Sequence, residues 1–361
     1  MRTVSLARLL ALSTCALATV AGAGSATDPR DYNTFYAPAY RIPADSAMSA
    51  AAARGKDLFN ATYRTLGAES GVRAANGKPY VGNKLACANC HMDNGTRPYA
   101  VPLVVAAHEY ATPLYSAREG QYRDLTVRIN GCFERSLAGE QIPPDSGWMQ
   151  DLKSYIGFLG TGLQPGYTWQ QVPGQETLKP AAITRAANPL RGATVYKDRC
   201  ESCHQRDGSG VWREDEKRFR YPALWGPSSH GLMAGMGRLQ TAVGLVYSNM
   251  PHDKVNLMDS STLMSADDAW DVTAYLLSKD RPFNARHITQ DWAGYGPDAV
   301  PDVFKRAVDA SYDHTQPRID ANGNPSINPA DPPMFSRNQH RYGPFAPITD
   351  GLKRARTWYG Y

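Results

Sequence analysis

A mainly α-helical chain built from two similar units is what this sequence predicts, on three observations. A five-residue pattern occurs twice, "CANCH" at 87–91 and "CESCH" at 200–204. An Arg-Gly pair opens a helical stretch ahead of each copy, "RGKDLF" (54–59) and "RGATVY" (191–196). After each copy comes Asp, three residues, Tyr, then Ile or Leu, within "DLKSYIGFL" (151–159) and "DAWDVTAYLL" (268–277). The apolar residues of these last stretches fall on one face at helical period.

The repeated pattern reads as covalent attachment of haem c. Cys87 and Cys90, and again Cys200 and Cys203, would each add across a haem vinyl group, and His91 and His204 would become the proximal iron ligands. A redox disulfide or half a zinc site needs no histidine directly after the second cysteine, and here one follows twice. A helix before the motif, a ligand-bearing loop after it and a terminal helix crossing the first form the arrangement of a class I cytochrome c. The expected order is therefore a signal peptide (1–26), an N-terminal cytochrome c-type domain (27–160), an irregular linker (161–190), a second such domain (191–285) and an irregular C-terminal extension (286–361). Prolines 165, 173, 180 and 189, with no sustained helical period, define the linker.

The N-terminus places Arg2 and Arg8 before an apolar run and small residues at Ala21, Ala23 and Ala26, as in a secretory signal. Covalent haem attachment in bacteria belongs to the exported side of the membrane, so a periplasmic location is expected. Cys15 lies inside the apolar run, in "LSTC", a poor match to a lipoprotein box, and would be lost on cleavage. No later segment approaches the ~20 continuous apolar residues of a membrane span. The formal charge is +5. Losing Arg2 and Arg8 and adding four haem propionates would bring it to about −1, which implies no nucleic-acid surface.

The sixth iron ligands distinguish a carrier from a site of chemistry. For the second haem, "NMP" offers Met250, forty-six residues after His204; Met233, Met236, His230 and Met258 compete. The first unit has no comparable methionine, since Met92 adjoins the proximal histidine and Met149 sits just before the terminal helix. Cys132 follows His91 by forty-one residues and stands where that ligand belongs. A free cysteine is also commonly a buried apolar residue, and an odd one in an exported protein permits an intermolecular disulfide. If "TVRINGCFERSLAG" is helical, Arg128, Cys132 and Ser136 share a face, although Gly131 weakens the helix. Positive charge beside a thiol favours the reactive thiolate.

With these stretches in view, the chain resembles the thiosulfate dehydrogenase family of periplasmic dihaem cytochromes c. The matching segments are "LACANCHMDNGT" (85–96), "LTVRINGCFERSLAG" (125–139), "CESCHQRDGSG" (200–210), "YPALWGPSS" (221–229), "AGMGRL" (234–239), "SNMP" (248–251) and "AWDVTAYLLSKDRP" (269–282). The resemblance implies a catalytic first haem ligated by His91 and Cys132, with Arg118, Arg128 and Ser136 around the substrate, and a second haem ligated by His204 and Met250. It implies oxidation of two thiosulfates to tetrathionate, with electrons leaving through the second haem to a small cytochrome c or another periplasmic redox protein. Direction depends on potentials that sequence does not give, so tetrathionate reduction stays open. Where some members carry lysine just before the methionine, this chain has Asn249, so lysine/methionine switching is not expected. A sulfur-oxidising cytochrome of the Sox type, a non-catalytic dihaem carrier and, less favoured, a dihaem peroxidase are the competing readings.

Overall fold

A computed structural model describes residues 31–116, 121–183, 185, 187–231 and 234–282. The signal segment 1–26 and the extension 286–361 lie outside the described residues, as do Arg118 and Met233. The described chain is mostly helical, with four short strands. Six helices of eleven residues or more carry it: α1 (Ala50–Asn60), α2 (Leu125–Arg135), α3 (Gly147–Gly160), α4 (Pro189–Arg199), α5 (Leu239–Asn249) and α6 (Ala266–Leu277). No helix among the described residues is long and apolar enough to cross a membrane.

Most of these helices start on side chains that accept from the first-turn N–H groups left over at any helix start. Ser49 accepts from the Ala52 N–H, Asp124 from Val127, Ser146 from Met149 and Ser265 from Asp268. Asn188 accepts from Leu190 and Arg191 ahead of α4, whose first residue is Pro189, where a missing N–H costs nothing. Two expected boundaries move as a result. "RGKDLF" lies inside α1 rather than opening it, because the Ser49 cap starts the helix at Ala50. α4 begins within the last residues expected to be linker. Among the described residues between α3 and α4, Leu163 forms an isolated antiparallel bridge with Tyr40 and Trp169–Gln171 a short 3₁₀ turn.

The repeated Arg-Gly and Asp-x-x-x-Tyr patterns meet where helices cross. A Cβ on Gly55 of α1 would lie 1.9 Å from the Asp151 carbonyl oxygen and 2.9 Å from the Tyr155 Cβ of α3. The second pair repeats this, Gly192 of α4 against the Asp271 carbonyl at 1.9 Å and the Tyr275 Cβ at 2.9 Å of α6. The arginine before each glycine reaches the aspartate before each tyrosine. Arg54 Nη2 lies 2.7 Å from Asp151, and Arg191 Nε lies 3.4 Å from Asp271. Asp271 is fully buried and also takes both arms of Arg185, each at 2.8 Å, and the Asn188 N–H at 2.7 Å. Gly55→Ala is expected to lower stability by about 2 kcal/mol: backbone contact forces overpacking of about 1–3 kcal/mol or more, against under about 1 kcal/mol of gained helix propensity. Denaturant unfolding of the holoprotein checks this, and an unchanged midpoint would refute it.

Each crossing seals an apolar core. Leu58, Phe59, Ile129, Phe133, Met149, Leu152 and Tyr155 form one, and Tyr196, Leu239, Val243, Trp270 and Val272 the other. Tyr32, Tyr36, Tyr40, Val104, Val105 and Val172 make a third cluster, which pins the segment before α1. Two antiparallel hairpins were not foreseen, since three or four residues are too few to show alternation. They are β1 (Leu114–Ser116) with β2 (Gln121–Arg123), and β3 (Val211–Arg213) with β4 (Arg218–Tyr221). The second hairpin reaches across to the first core, where Phe219 is buried and Trp212 meets Tyr63 edge-on at 5.4 Å. Lys217 Nζ lies 2.6 Å from Glu69 across the same contact, and the Lys84 ammonium sits 4.7 Å from the Trp212 ring centroid.

Candidate active site

The two CxxCH segments are short, tight turns. Cys87–Asn89 is a 3₁₀ turn whose Cys87 N–H donates to Thr62 Oγ1 at 3.2 Å, and Glu201–His204 is one helical turn following α4. Both histidines are fixed the same way. His91 Nδ1 lies 2.6 Å from the Val101 carbonyl, and His204 Nδ1 lies 2.8 Å from the Pro222 carbonyl. A carbonyl only accepts, so each Nδ1 carries the proton and each Nε2 keeps its lone pair for a metal. Burial lowers the His204 pKa, partly opposed by the Pro222 bond, which favours the neutral ring a ligand requires. Backbone strain accompanies both arrangements. Val101, β-branched, sits at φ 50, and Gln205, directly after His204, at φ 65 and ψ 158. Such conformations cost about 1–3 kcal/mol each and persist where the surroundings impose them.

Three sulfurs gather at the first site. Cys87 and Cys90 are half-buried, and desolvation pushes each thiol up to about 12, with the charge of nearby Cys132 adding to the rise. Cys132 responds oppositely. Burial alone would raise it, but the Arg128 guanidinium leads the groups that outweigh that and hold it at about 6. This separates the roles chemically: two thiols suited to thioether formation and one thiolate facing the free edge of the His91 ring. The donor set therefore fits haem c. Paired thiols precede each histidine, each imidazole is oriented, and a thiolate stands beside the first.

Helix α2 creates this arrangement. It runs unbroken through Gly131, and Arg128 Nη1 donates to Cys132 Sγ at 2.9 Å, one turn apart on one face. Gly131 has a positive reason to be there. A Cβ at that position would lie 2.2 Å from Arg135 Nη2, so its absence lets the Arg135 guanidinium fold back over the helix toward the thiolate. Arg128 is held charged, its pKa raised first by Cys132 and then by Tyr110 against burial. Ser136 ends the helix half-buried, and its carbonyl accepts from Asn83 Nδ2 at 2.9 Å and the Gly231 N–H at 3.2 Å.

Sequence reasoning missed Tyr110, Glu109, Arg123 and Arg135. Tyr110 hydrogen-bonds Arg128, and burial raises its pKa. Burial also raises the Glu109 carboxyl, with Arg128 and Arg123 opposing. Arg135, three residues after Cys132, was legible from helical spacing, whereas the other three arrive from the short helix Ala106–Glu109, the residue after it, and β2. Met250 is the half-buried cap residue ending α5. Of its rivals, Met258 is 50% exposed, and His230 is half-buried with Arg281 Nη1 2.5 Å from its Nε2. Burial and then Arg281 lower the His230 pKa to about 3.

Paired CxxCH turns, oriented imidazoles and crossing helices define a c-type cytochrome carrying covalently bound haem c, and the family model described as cytochrome c matches residues 190–280. Over 249 residues the chain is 32% identical to a thiosulfate dehydrogenase of Allochromatium vinosum, covering 68% of this chain and 83% of that one. It is 34% identical over 209 residues to the one from Thiomonas intermedia (58% and 62%) and 31% identical over 251 to that of Psychrobacter arcticus (69% and 68%). A solved thiosulfate dehydrogenase from Marichromatium purpuratum, in its as-isolated form, superposes with a TM-score of 0.57 at 29% identity, covering 68% of this chain and 50% of that one. The chain thus spans about half the length of that solved chain. The chain belongs to the thiosulfate dehydrogenase family, and is a thiosulfate-oxidising cytochrome c.

Proposed function

We propose that this protein is a periplasmic dihaem enzyme with two class I cytochrome c-type domains that joins two thiosulfates into tetrathionate at the site around Cys132. The observation that carries the reading is one thiolate held by a guanidinium at 2.9 Å, beside an imidazole oriented for a metal. Cys87, Cys90, His91 and Cys132 would hold the first haem c, and Cys200, Cys203, His204 and Met250 the second. When bound, the haem c groups supply the oxidant, one electron each, and hand those electrons to an external acceptor such as a small cytochrome c.

The residues of the chain deal with charge and with sulfur. Two dianions about 6 Å apart repel by roughly 11 kcal/mol at an effective dielectric of about 20, and a guanidinium about 4 Å from one of them offsets roughly 8 kcal/mol. One arginine is therefore too few and two suffice. Arg128 supplies one forked donor set. Arg118 is assigned the second by its place in the sequence, with Arg123 and Arg135 adding positive charge and the Ser136 hydroxyl a further donor. The Cys132 sulfur and the outer sulfur of one thiosulfate form an S–S bond as an electron pair is released. The outer sulfur of a second thiosulfate then attacks the thiosulfate-derived sulfur, forming the central bond of tetrathionate and returning Cys132 as a thiolate. Every step is reversible in principle, so the same residues serve tetrathionate reduction where the acceptor potentials demand it.

The test is stoichiometric. Purified holoprotein with thiosulfate and ferricyanide should consume two thiosulfates and two ferricyanides per tetrathionate, with two haems per chain by pyridine haemochrome. Sulfate as the product, or turnover only with an added sulfur-carrier protein, would overturn the assignment.

A further inference from the structure

The segment around Met250 is gripped from the other haem site. After His91 the chain turns through Asp93 (φ 51), Asn94 (φ 59) and Gly95 (φ 79), a left-handed run that Asp, Asn and Gly tolerate best. The turn delivers Arg97 into the interior, where it is 2% exposed. Its Nε donates to Asn249 Oδ1 at 2.7 Å and its Nη1 to the Tyr32 hydroxyl at 2.9 Å and to Asp93 Oδ2 at 3.3 Å. Its two outer nitrogens also reach the His252 ring and carbonyl, each at 3.5 Å.

Asn249 is fully buried and directly precedes Met250; its amide nitrogen donates to the Tyr99 carbonyl at 3.2 Å and to Ser248 Oγ at 2.8 Å. On the far side of Met250, the His252 ring lies 3.1 Å from Asp93 Oδ1. One buried fork thus holds the residue before Met250 and the residue two after it, anchored on the turn that starts at His91. A desolvated guanidinium is costly unless its donors are used, and only arginine's rigid fork can reach these partners at once. The Met250 N–H still donates to the Val246 carbonyl of α5 at 3.0 Å, but the helix stops at Asn249 and the long, flexible methionine side chain is not fixed by that backbone bond.

We infer that Arg97 is a positioning residue for the second haem: it holds the 249–252 segment so that Met250 stays available as axial ligand, and so ties ligation at one haem to the chain at the other. This rests on the ligation by His204 and Met250 proposed above. The experiment uses the holoprotein and reads the near-infrared sulfur-to-ferric-iron charge-transfer band of a methionine-ligated haem, titrated with imidazole. Wild type should show the band, and Arg97→Gln should lose it, or surrender it at about tenfold lower imidazole as the methionine-free fraction rises about tenfold. Arg97→Lys, charged but unforked, should fall between. Asn249→Leu, which removes the Nε partner together with the bonds Asn249 donates to Tyr99 and Ser248, should weaken the band, whereas Asn249→Asp, which gives up the same two donated bonds but offers Arg97 a carboxylate, should keep it. A band of wild-type strength and imidazole resistance in Arg97→Gln, or in Asn249→Leu should the former not fold, overturns the inference. No band in wild type would instead remove the Met250 ligation itself, and this inference with it.

Discussion

Cys132→Ala holoprotein is expected to form tetrathionate at no more than about one thousandth of the wild-type rate, with both haems still attached. Loss of a covalent nucleophile costs on this scale or more, because binding and charge stabilisation remain but no atom is left to carry the intermediate. The side chain is small and half-buried, and α2 is capped by Asp124 and packed through Ile129 and Phe133, so alanine leaves the scaffold intact. Steady-state turnover with ferricyanide, beside haem content and the visible spectrum, makes the measurement. A carrier whose Cys132 only tunes potential would show an altered spectrum with no activity in either protein. Wild-type turnover in the variant would place the chemistry elsewhere.

Arg128→Ala is expected to lower kcat/KM for thiosulfate by about a thousandfold. Two charge-assisted hydrogen bonds are lost, one to the thiolate and one to the substrate oxyanion, at about 2 kcal/mol each. Their sum of about 4 kcal/mol corresponds to three decades. Arg128→Lys should recover part of this, since it keeps the charge but cannot reach Cys132 Sγ, Tyr110 and a sulfonate oxygen from one rigid fork. The split between kcat and KM is informative. If Arg128 served only to orient Tyr110, KM would hold and the lysine variant would behave as alanine does; equal kcat/KM in wild type and Arg128→Ala would remove it from the site.

Local physics made a good part of this legible. The face shared by Arg128 and Cys132 follows from a four-residue spacing, whereas the caps at Ser49, Asp124, Ser146, Asn188 and Ser265, residue types whose side chains serve first-turn N–H groups, went unread, and two expected helix starts moved with them. The Arg-Gly and Asp-x-x-x-Tyr patterns announced a repeat, yet their meaning needed the crossing, where glycine admits a carbonyl at contact distance. Gly131 misled in the opposite sense. It counted against the helix, and it is there because the Arg135 side chain needs the space.

What the amino-acid order alone determined is encoded within about one helical turn: the twice-repeated CxxCH pattern with its histidine, and the thiol with its neighbouring guanidinium. Those features need only bond geometry and a 3.6-residue period. Tertiary structure alone decided which distant groups converge on them. The carbonyls of Val101 and Pro222 select the tautomers of His91 and His204, Tyr110 and Arg123 complete the surroundings of Arg128, and Arg97 lies against Asn249 from 152 residues away. These pairings exist because core burial, which is non-directional and blind to sequence separation, brings the segments together first. Hydrogen bonds, which are directional and short-ranged, then decide which atoms meet.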